Sequence, residues 1–356
     1  METWNEFCYH YQQDLGGLGI PIFSEISEKE YQNSSRLTEE HVSLISRQER
    51  SYQIQNEGLN DIKKKIKLER QKYHQEQLVN IRSKLTSEQC RLNDINTEQG
   101  ASTWLTTLPL EDEGYMLNKQ EFWDLVNIRY GWPLSRTSTT CACGSFFNIQ
   151  HALSCKKGGF ITLRHNRLRN ITASLLKEVC HDVRIEPTLQ RLTGEQFEQR
   201  TAITSDEARL DVAARGFWTA GQIAFFDIRV FYSNATRYAN QSLQQCHASN
   251  ENEKKRKYNN RVMNVEQGCF TPLVFSTNGG MGRECRKFYA RLADMIAAKR
   301  KQEYCVTMSW LRRKISFSLI RSILLCVRGS RGRNSDEVNV TENIEMSESL
   351  STIYEQ

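Results

Sequence analysis

Between residues 163 and 183 the apolar side chains Leu168, Ile171, Leu175, Leu176 and Val179 recur three and four apart, which predicts an amphipathic helix. Short β-like runs follow at 183–187, 208–213 and 223–232, the last dense in aromatic and β-branched residues. A polar, basic helix is predicted over 242–265. A fourth strand is predicted at 270–276, ended by Asn278-Gly279-Gly280, and two more helices over 282–301 and 306–327. Helix, three strands, helix, strand, helix is the order of an α/β core with a mixed sheet flanked by helices.

The pattern weakens upstream. Residues 119–130 carry Phe122, Trp123, Val126 and Ile128, which can bury one side of a helix, and Gly131-Trp132-Pro133 closes it. Residues 37–92 are dominated by charged residues and Gln, with no Pro and one Gly, Gly58. Their apolar stripe, Leu59, Ile62, Ile66 and Leu68 and then Val79, Ile81 and Leu85, is thin, so a long solvated, coiled-coil-like spacer helix is expected. Residues 1–34 show no clear period, and 329–356 have the Ser-, Glu- and Asn-rich composition of a disordered tail. The expected division is a helical, partly disordered linker at 1–100, a helical region with a Cys/His cluster at 101–163, the α/β domain at 164–328, and the tail.

Composition narrows the function classes. The 356 residues are 38% hydrophobic, and the best apolar run, 315–327, is broken by Arg321. It falls short of the ~20 residues a membrane helix needs. The first residues are acidic rather than apolar, so no secretion signal is expected. Eleven cysteines then point to thiols and metal ligands instead of disulfides, in a nuclear or cytoplasmic setting. A net charge of +6 is mild, yet it hides acid-free cationic blocks. One holds Lys156, Lys157, Arg164, Arg167, Arg169 and Lys177; the other holds Arg312, Arg313, Lys314, Arg321, Arg328, Arg331 and Arg333. Such blocks suit a phosphate backbone, DNA first and RNA second. A membrane surface is the weaker match.

Two constellations carry chemistry. Cys141, Cys143, His151 and Cys155 fall within fifteen residues, and thiolates with imidazole are what a closed, tetrahedral, structural Zn²⁺ site takes. The spacing of His151 and Cys155 puts both on one helical face, and Gly144 permits a tight turn beside the first pair. Asp211 and Asp227 interrupt consecutive apolar strands, where a carboxylate needs a partner or a metal. Side by side across a sheet they would make a Mg²⁺ or Mn²⁺ site; the alternative is a pair of structural salt bridges, Asp211 with Arg209 and Asp227 with Arg229. Glu186 and Glu178 are further candidate acids. Lys254, in the basic run 251–258, could reach back over the strands toward a scissile phosphate.

Taken in order, the Cys-x-Cys…His-x-x-x-Cys cluster, Arg164-His165-Asn166, Arg209-Leu210-Asp211, Phe226-Asp227-Ile228-Arg229 and Glu253-Lys254…Tyr258 resemble the C-terminal restriction-like endonuclease region of non-LTR retrotransposon polyproteins. The resemblance covers about 101–333. It implies a PD-(D/E)xK core that nicks DNA with a divalent metal: Asp211 and Asp227 as metal carboxylates, and Lys254 as the catalytic lysine displaced onto the helix, with Lys257 as second candidate. It also implies that Arg164, His165, Asn166, Arg167 and Arg169 lie at the nucleic acid. Two positions depart from the pattern. Leu210 replaces the motif proline, and Arg229 replaces the third-motif lysine; a guanidinium holds phosphate but cannot act as a base. The chain shows no Tyr/Phe-x-Asp-Asp polymerase box, so the reading is a retroelement-derived reading frame without its polymerase. A catalytically inactive nucleic-acid-binding module, or a decayed remnant, is the alternative.

Overall fold

The strand-like runs pair into one four-stranded mixed sheet in the order β1 (His181–Ile185), β2 (Val212–Arg215), β3 (Ile223–Phe231), β4 (Cys269–Ser276). The first three strands are antiparallel; β4 runs parallel to β3. A parallel neighbour requires a crossover, and the polar helix α8 (Leu243–Asn264) supplies it. The computed structural model describes residues 2–11, 13–20, 22–48, 56–190 and 208–329, in two compact units, 1–93 and 94 onward. The expected tail from residue 330 on, including Arg331 and Arg333, lies outside the described residues.

Alternation along β3 sorts the two faces of the sheet. Ala224, Phe226 and Ile228 join the main core with α7 (Phe160–Val179), α9 (Arg283–Arg300) and α10 (Tyr304–Arg328), whose Leu168, Leu176, Phe288, Leu292, Leu311 and Ile315 are almost fully buried. Phe217, Phe226 and Phe288 meet there with ring centroids 4.7–5.4 Å apart. Each such side chain contributes roughly 1.5–3 kcal/mol by leaving water. The odd-numbered positions face α8, where Phe225 packs with Ala213, Val262 and Phe270. Asp227 belongs to that second face.

The second unit also takes in the helices ahead of the sheet. An Asn118/Glu121 capping box starts α5 (Lys119–Tyr130) and Gly131, at φ 69°, ends it. Of the four residues expected on its buried side, Val126 and Ile128 are buried, with Leu125 and Tyr130, while Phe122 and Trp123 stay 38% and 42% exposed. Ile128 packs with Ala152 and Leu153 of α6 (Ile149–Ser154) against Ile323, Cys326 and Val327 of α10. The apolar 315–327 run is therefore occupied by the core, and among the described residues no helix is long and apolar enough to cross a membrane.

In place of one spacer helix, the chain up to Thr97 forms several: α1 (Glu2–His10), α2 (Phe23–Ser46), α3 (Asn56–Arg82) and α4 (Ser87–Thr97). Helix α2 stops where Gln48 enters the left-handed region at φ 55°. Thr86 and Gln89 form a reciprocal capping box that restarts the chain as α4. Ion pairs Arg36–Glu69 and Arg70–Glu30 join α2 to α3. These are exposed and stabilise little; Trp4, Phe7, Cys8, Ile66 and Ile81 supply the buried apolar surface.

Candidate functional site

The Cys/His cluster is assembled by short-range structure. Cys141 N–H donates to Ser145 O and Gly144 N–H to Cys141 O, folding the first two cysteines into a turn that Gly144 completes at φ 88°. Asn148 caps α6 by accepting from His151 N–H at 2.7 Å, and Cys155 follows one turn after His151. The ligand atoms of Cys141, Cys143, His151 and Cys155 all lie within 4.8 Å of one another. Cys141 and Cys155 sulfurs are 3.8 Å apart, and Cys143 Sγ is 3.3 Å from His151 Nε2. Tetrahedral zinc with bonds of about 2.3 Å to sulfur places sulfurs about 3.8 Å apart, so the donor set fits the ion. Hydrogen bonding from Ser145 pulls the exposed Cys143 thiol down to about 6, so the thiolate a metal needs exists at neutral pH. This Cys₃His cluster can hold a metal such as zinc.

The acidic pair is assembled by the sheet. In the β2–β3 register Val212 faces Phe226, which brings Asp211, the residue just before β2, to the stretch of β3 that holds Asp227, and Asp211 N–H donates to Phe226 O. Strand β3 runs on past this point, but the chain before Asp211 peels away: Leu210 N–H donates to Pro187 O, and Arg209 bridges to Thr188. The edge of β3 is thus left without a ladder partner at Ile228. Asp211 Oδ2 takes the Ile228 N–H at 2.5 Å, and His165 Nε2, from α7, lies 3.1 Å from Ile228 O and 3.1 Å from Asp211 Oδ2. Side chains complete a broken ladder, as buried backbone groups require.

On α8, Lys254 Nζ sits 2.6 Å from Asp227 Oδ2. Burial, with the charge of Asp211 adding to it, pushes the Asp227 carboxyl up despite Lys254. Burial opposes the charge on Lys254, but Asp227 outweighs it and holds the ammonium above its usual range. His165 behaves alike: burial presses it down, and Asp211 lifts it further, for a net rise. Tyr258, one turn after Lys254 with its ring 5.8 Å from that ammonium, is pushed up to about 12 by burial and by Asp227.

The other expected site residues go elsewhere. Arg229 pairs with Glu253 at 2.7 Å, not with Asp227, and Arg209 turns to Glu186, not to Asp211. The salt-bridge alternative for the aspartates therefore fails in its named partners. Glu186 is held by Arg169 and Glu178 by Arg300, so neither acid joins the pair. Lys257 lies exposed over the Tyr258 ring, 4.9 Å from its centroid, which leaves Lys254 as the lysine at the acids. Of the Arg164–Arg169 block, Arg164 is only 3% exposed, with burial pushing its pKa down; Arg167 is pushed down to about 10 by burial, the charge of Arg321 adding to it. His165 turns inward to Asp211, with Asn166 Oδ1 3.3 Å from its other ring nitrogen. Sequence reasoning missed the His165–Asp211 contact and the place of Tyr258. The four-residue step from Lys254 signalled the tyrosine, whereas nothing local signalled the histidine.

A scan against protein-family models finds no match, and a search of curated proteins finds none either.

Proposed function

We propose that this chain is a metal-dependent endonuclease that nicks DNA, with a restriction-like core of the PD-(D/E)xK kind. The observation that carries the reading is the Lys254–Asp227 pair at 2.6 Å, with the charge of Asp211 acting on both groups from the point where β2 begins. A four-stranded mixed sheet flanked by helices also suits such a core. Two carboxylates, Asp227 on β3 and Asp211 just before β2, are hard oxygen donors of the type Mg²⁺ and Mn²⁺ take. Asp211 fits that role, because only its Oδ2 is hydrogen-bonded among the described residues and its Oδ1 is left over.

When bound, such an ion would supply an activated water and neutralise charge building on the phosphate. Asp211 and Asp227 would hold it. Lys254 would leave Asp227 to the ion and turn its ammonium to the phosphate, stabilising the transition state as a fixed positive charge. The Cys₃His cluster would hold zinc as a structural ion, pinning the α6 segment to α10.

Incubation of supercoiled plasmid with the full chain and Mg²⁺ tests this. Nicked circles are expected with the native chain, and a loss of about 10³-fold or more with Asp227→Ala. No nicking by a folded, zinc-loaded chain would refute it.

One observation favours a second reading. Arg229, standing where the motif has lysine, is tied to Glu253, and Lys254 closes onto Asp227. A module that binds nucleic acid without cutting it would show DNA binding that Asp227→Ala leaves unchanged.

A further inference from the structure

His165 stands on a different helix from every other member of the acidic site, yet its imidazole touches the site at two points. Its Nε2 is 3.1 Å from Asp211 Oδ2 and 3.1 Å from Ile228 O. Both neighbours are acceptors, so Nε2 carries the proton and donates. Ile228 N–H donates to the same Oδ2 at 2.5 Å. One oxygen of Asp211 thus receives two donors from two directions, and among the described residues the other receives none. The His165 side chain is about a third exposed and that of Asp211 half as much, so the contact is shielded without being sealed. A carboxylate on a single hydrogen bond swings about its terminal torsion, which is broad and two-fold. Two donors on one oxygen fix the plane and leave the second oxygen facing a defined direction.

We propose that His165 is a positioning residue that locks the Asp211 carboxylate by Oδ2 so that Oδ1 is the oxygen offered to a divalent cation. The proposal rests on the reading of Asp211 and Asp227 as a cation site and adds the element that orients one of its ligands. His165 is here an orienting group within the protein, not a contact to nucleic acid. Outer hydrogen-bonding partners of this kind are worth about 10–100-fold in metal affinity. The same contact satisfies Ile228 O, so removing the imidazole also frees a strand-edge carbonyl. Stability and metal affinity must therefore be separated experimentally.

Mn²⁺ is the probe, because its free form is counted directly by electron paramagnetic resonance without any turnover. The full, zinc-loaded chain is titrated with Mn²⁺ alongside His165→Leu, His165→Gln and Asp211→Asn, with thermal melting followed for each. His165→Leu is expected to weaken Mn²⁺ binding about 10–100-fold. His165→Gln, which keeps an N–H within reach, is expected to restore most of it. In nicking assays the loss in His165→Leu should appear as a higher Mn²⁺ requirement and largely vanish at saturating metal. Mn²⁺ affinity in His165→Leu within about twofold of native would overturn the proposal, as would His165→Gln binding as poorly as His165→Leu while melting like the native chain. If His165→Leu fails to fold, His165→Gln decides alone: near-native affinity supports the lock, and affinity as low as that of Asp211→Asn overturns it. A native chain that binds no Mn²⁺ sinks both the cation site and the lock; one that binds Mn²⁺ but nicks nothing sinks the nuclease reading alone.

Discussion

The Cys/His cluster and the acidic slot both gather charged or soft ligands into a few ångströms, but they are built at opposite ranges. The cluster draws all four of its ligands from residues 141–155, from a turn and a short capped helix. The slot draws on α7, the start of β2, the middle of β3 and α8, with contacts that join residues as far apart as 165 and 211. Their electrostatics overlap in part, since burial pushes the Cys155 thiol up as it does the Asp227 carboxyl, but Cys143 goes the other way. Cys143 is exposed, and hydrogen bonding from Ser145 pulls its thiol down to about 6. Asp227 is buried, and its carboxyl is pushed up. A site made locally can be assembled by its own ion, whereas a site made across the sheet must inherit its geometry from the core.

The widest expected gap between the two is in response to losing a ligand. Cys143→Ser should abolish zinc binding, from about one equivalent to none by metal analysis of purified protein, because three ligands cannot close a tetrahedral site. Far-ultraviolet circular dichroism should still report the α/β sheet. Collapse of the sheet in that variant would show that the two regions are not separately built.

Next in size, Lys254→Met should lower nicking by about 10²-fold, with Lys257→Met within about threefold of native. Equal losses from both would mean that the helix, and not the single ammonium facing Asp227, supplies the charge. The measurement is initial nicking rate at saturating Mg²⁺.

The pH responses should differ in position. The knuckle needs its cysteines as thiolates, with Cys143 pulled down and Cys155 pushed up by burial, so zinc should be kept at pH 7 and be released in acid as protons compete for the sulfurs. The slot needs Asp227 ionised. Its raised carboxyl gains charge only as pH climbs past the ordinary carboxylate range, so nicking should rise with pH on a limb lying above about 4. Zinc release followed by a chromogenic chelator and a pH–rate profile check the two; an acid limb at or below the ordinary range would show that burial does not govern Asp227.

The smallest effect is at a cap. Asn148→Ala removes the acceptor for His151 N–H and should cost about 1 kcal/mol. The cost should appear as a lowered melting temperature in chelated protein and shrink when zinc is bound, since the ion holds α6 by itself. An equal shift with and without zinc would break the claim that the cluster is self-assembling.

Much of this was legible in the residues themselves. The 3.6 and 2.0 periods placed α7, β3, α8, β4, α9 and α10 to within a few residues, and the Cys/His spacing identified the cluster, because both depend on neighbours along the chain. The spacer over 37–92 was misjudged as one helix although Thr86-x-x-Gln89, a local stop-and-start signal, was there to be read. In α5 the expected stripe was half right: Val126 and Ile128 are buried, whereas Phe122 and Trp123 stay exposed.

What the sequence alone determined is the menu of elements and the presence of two aspartates in apolar, strand-like runs, although Asp211 proves to lie just before β2. The pairing register, the parting of β2 from β3 at Asp211, the choice of Lys254 over Lys257, and the partners His165 for Asp211 and Glu253 for Arg229 were decided by tertiary structure. The reason is physical: a one-residue slip in register would turn either aspartate to the opposite face, and the energy that forbids the slip comes from Phe217, Phe226, Phe288 and the rest of the distant core.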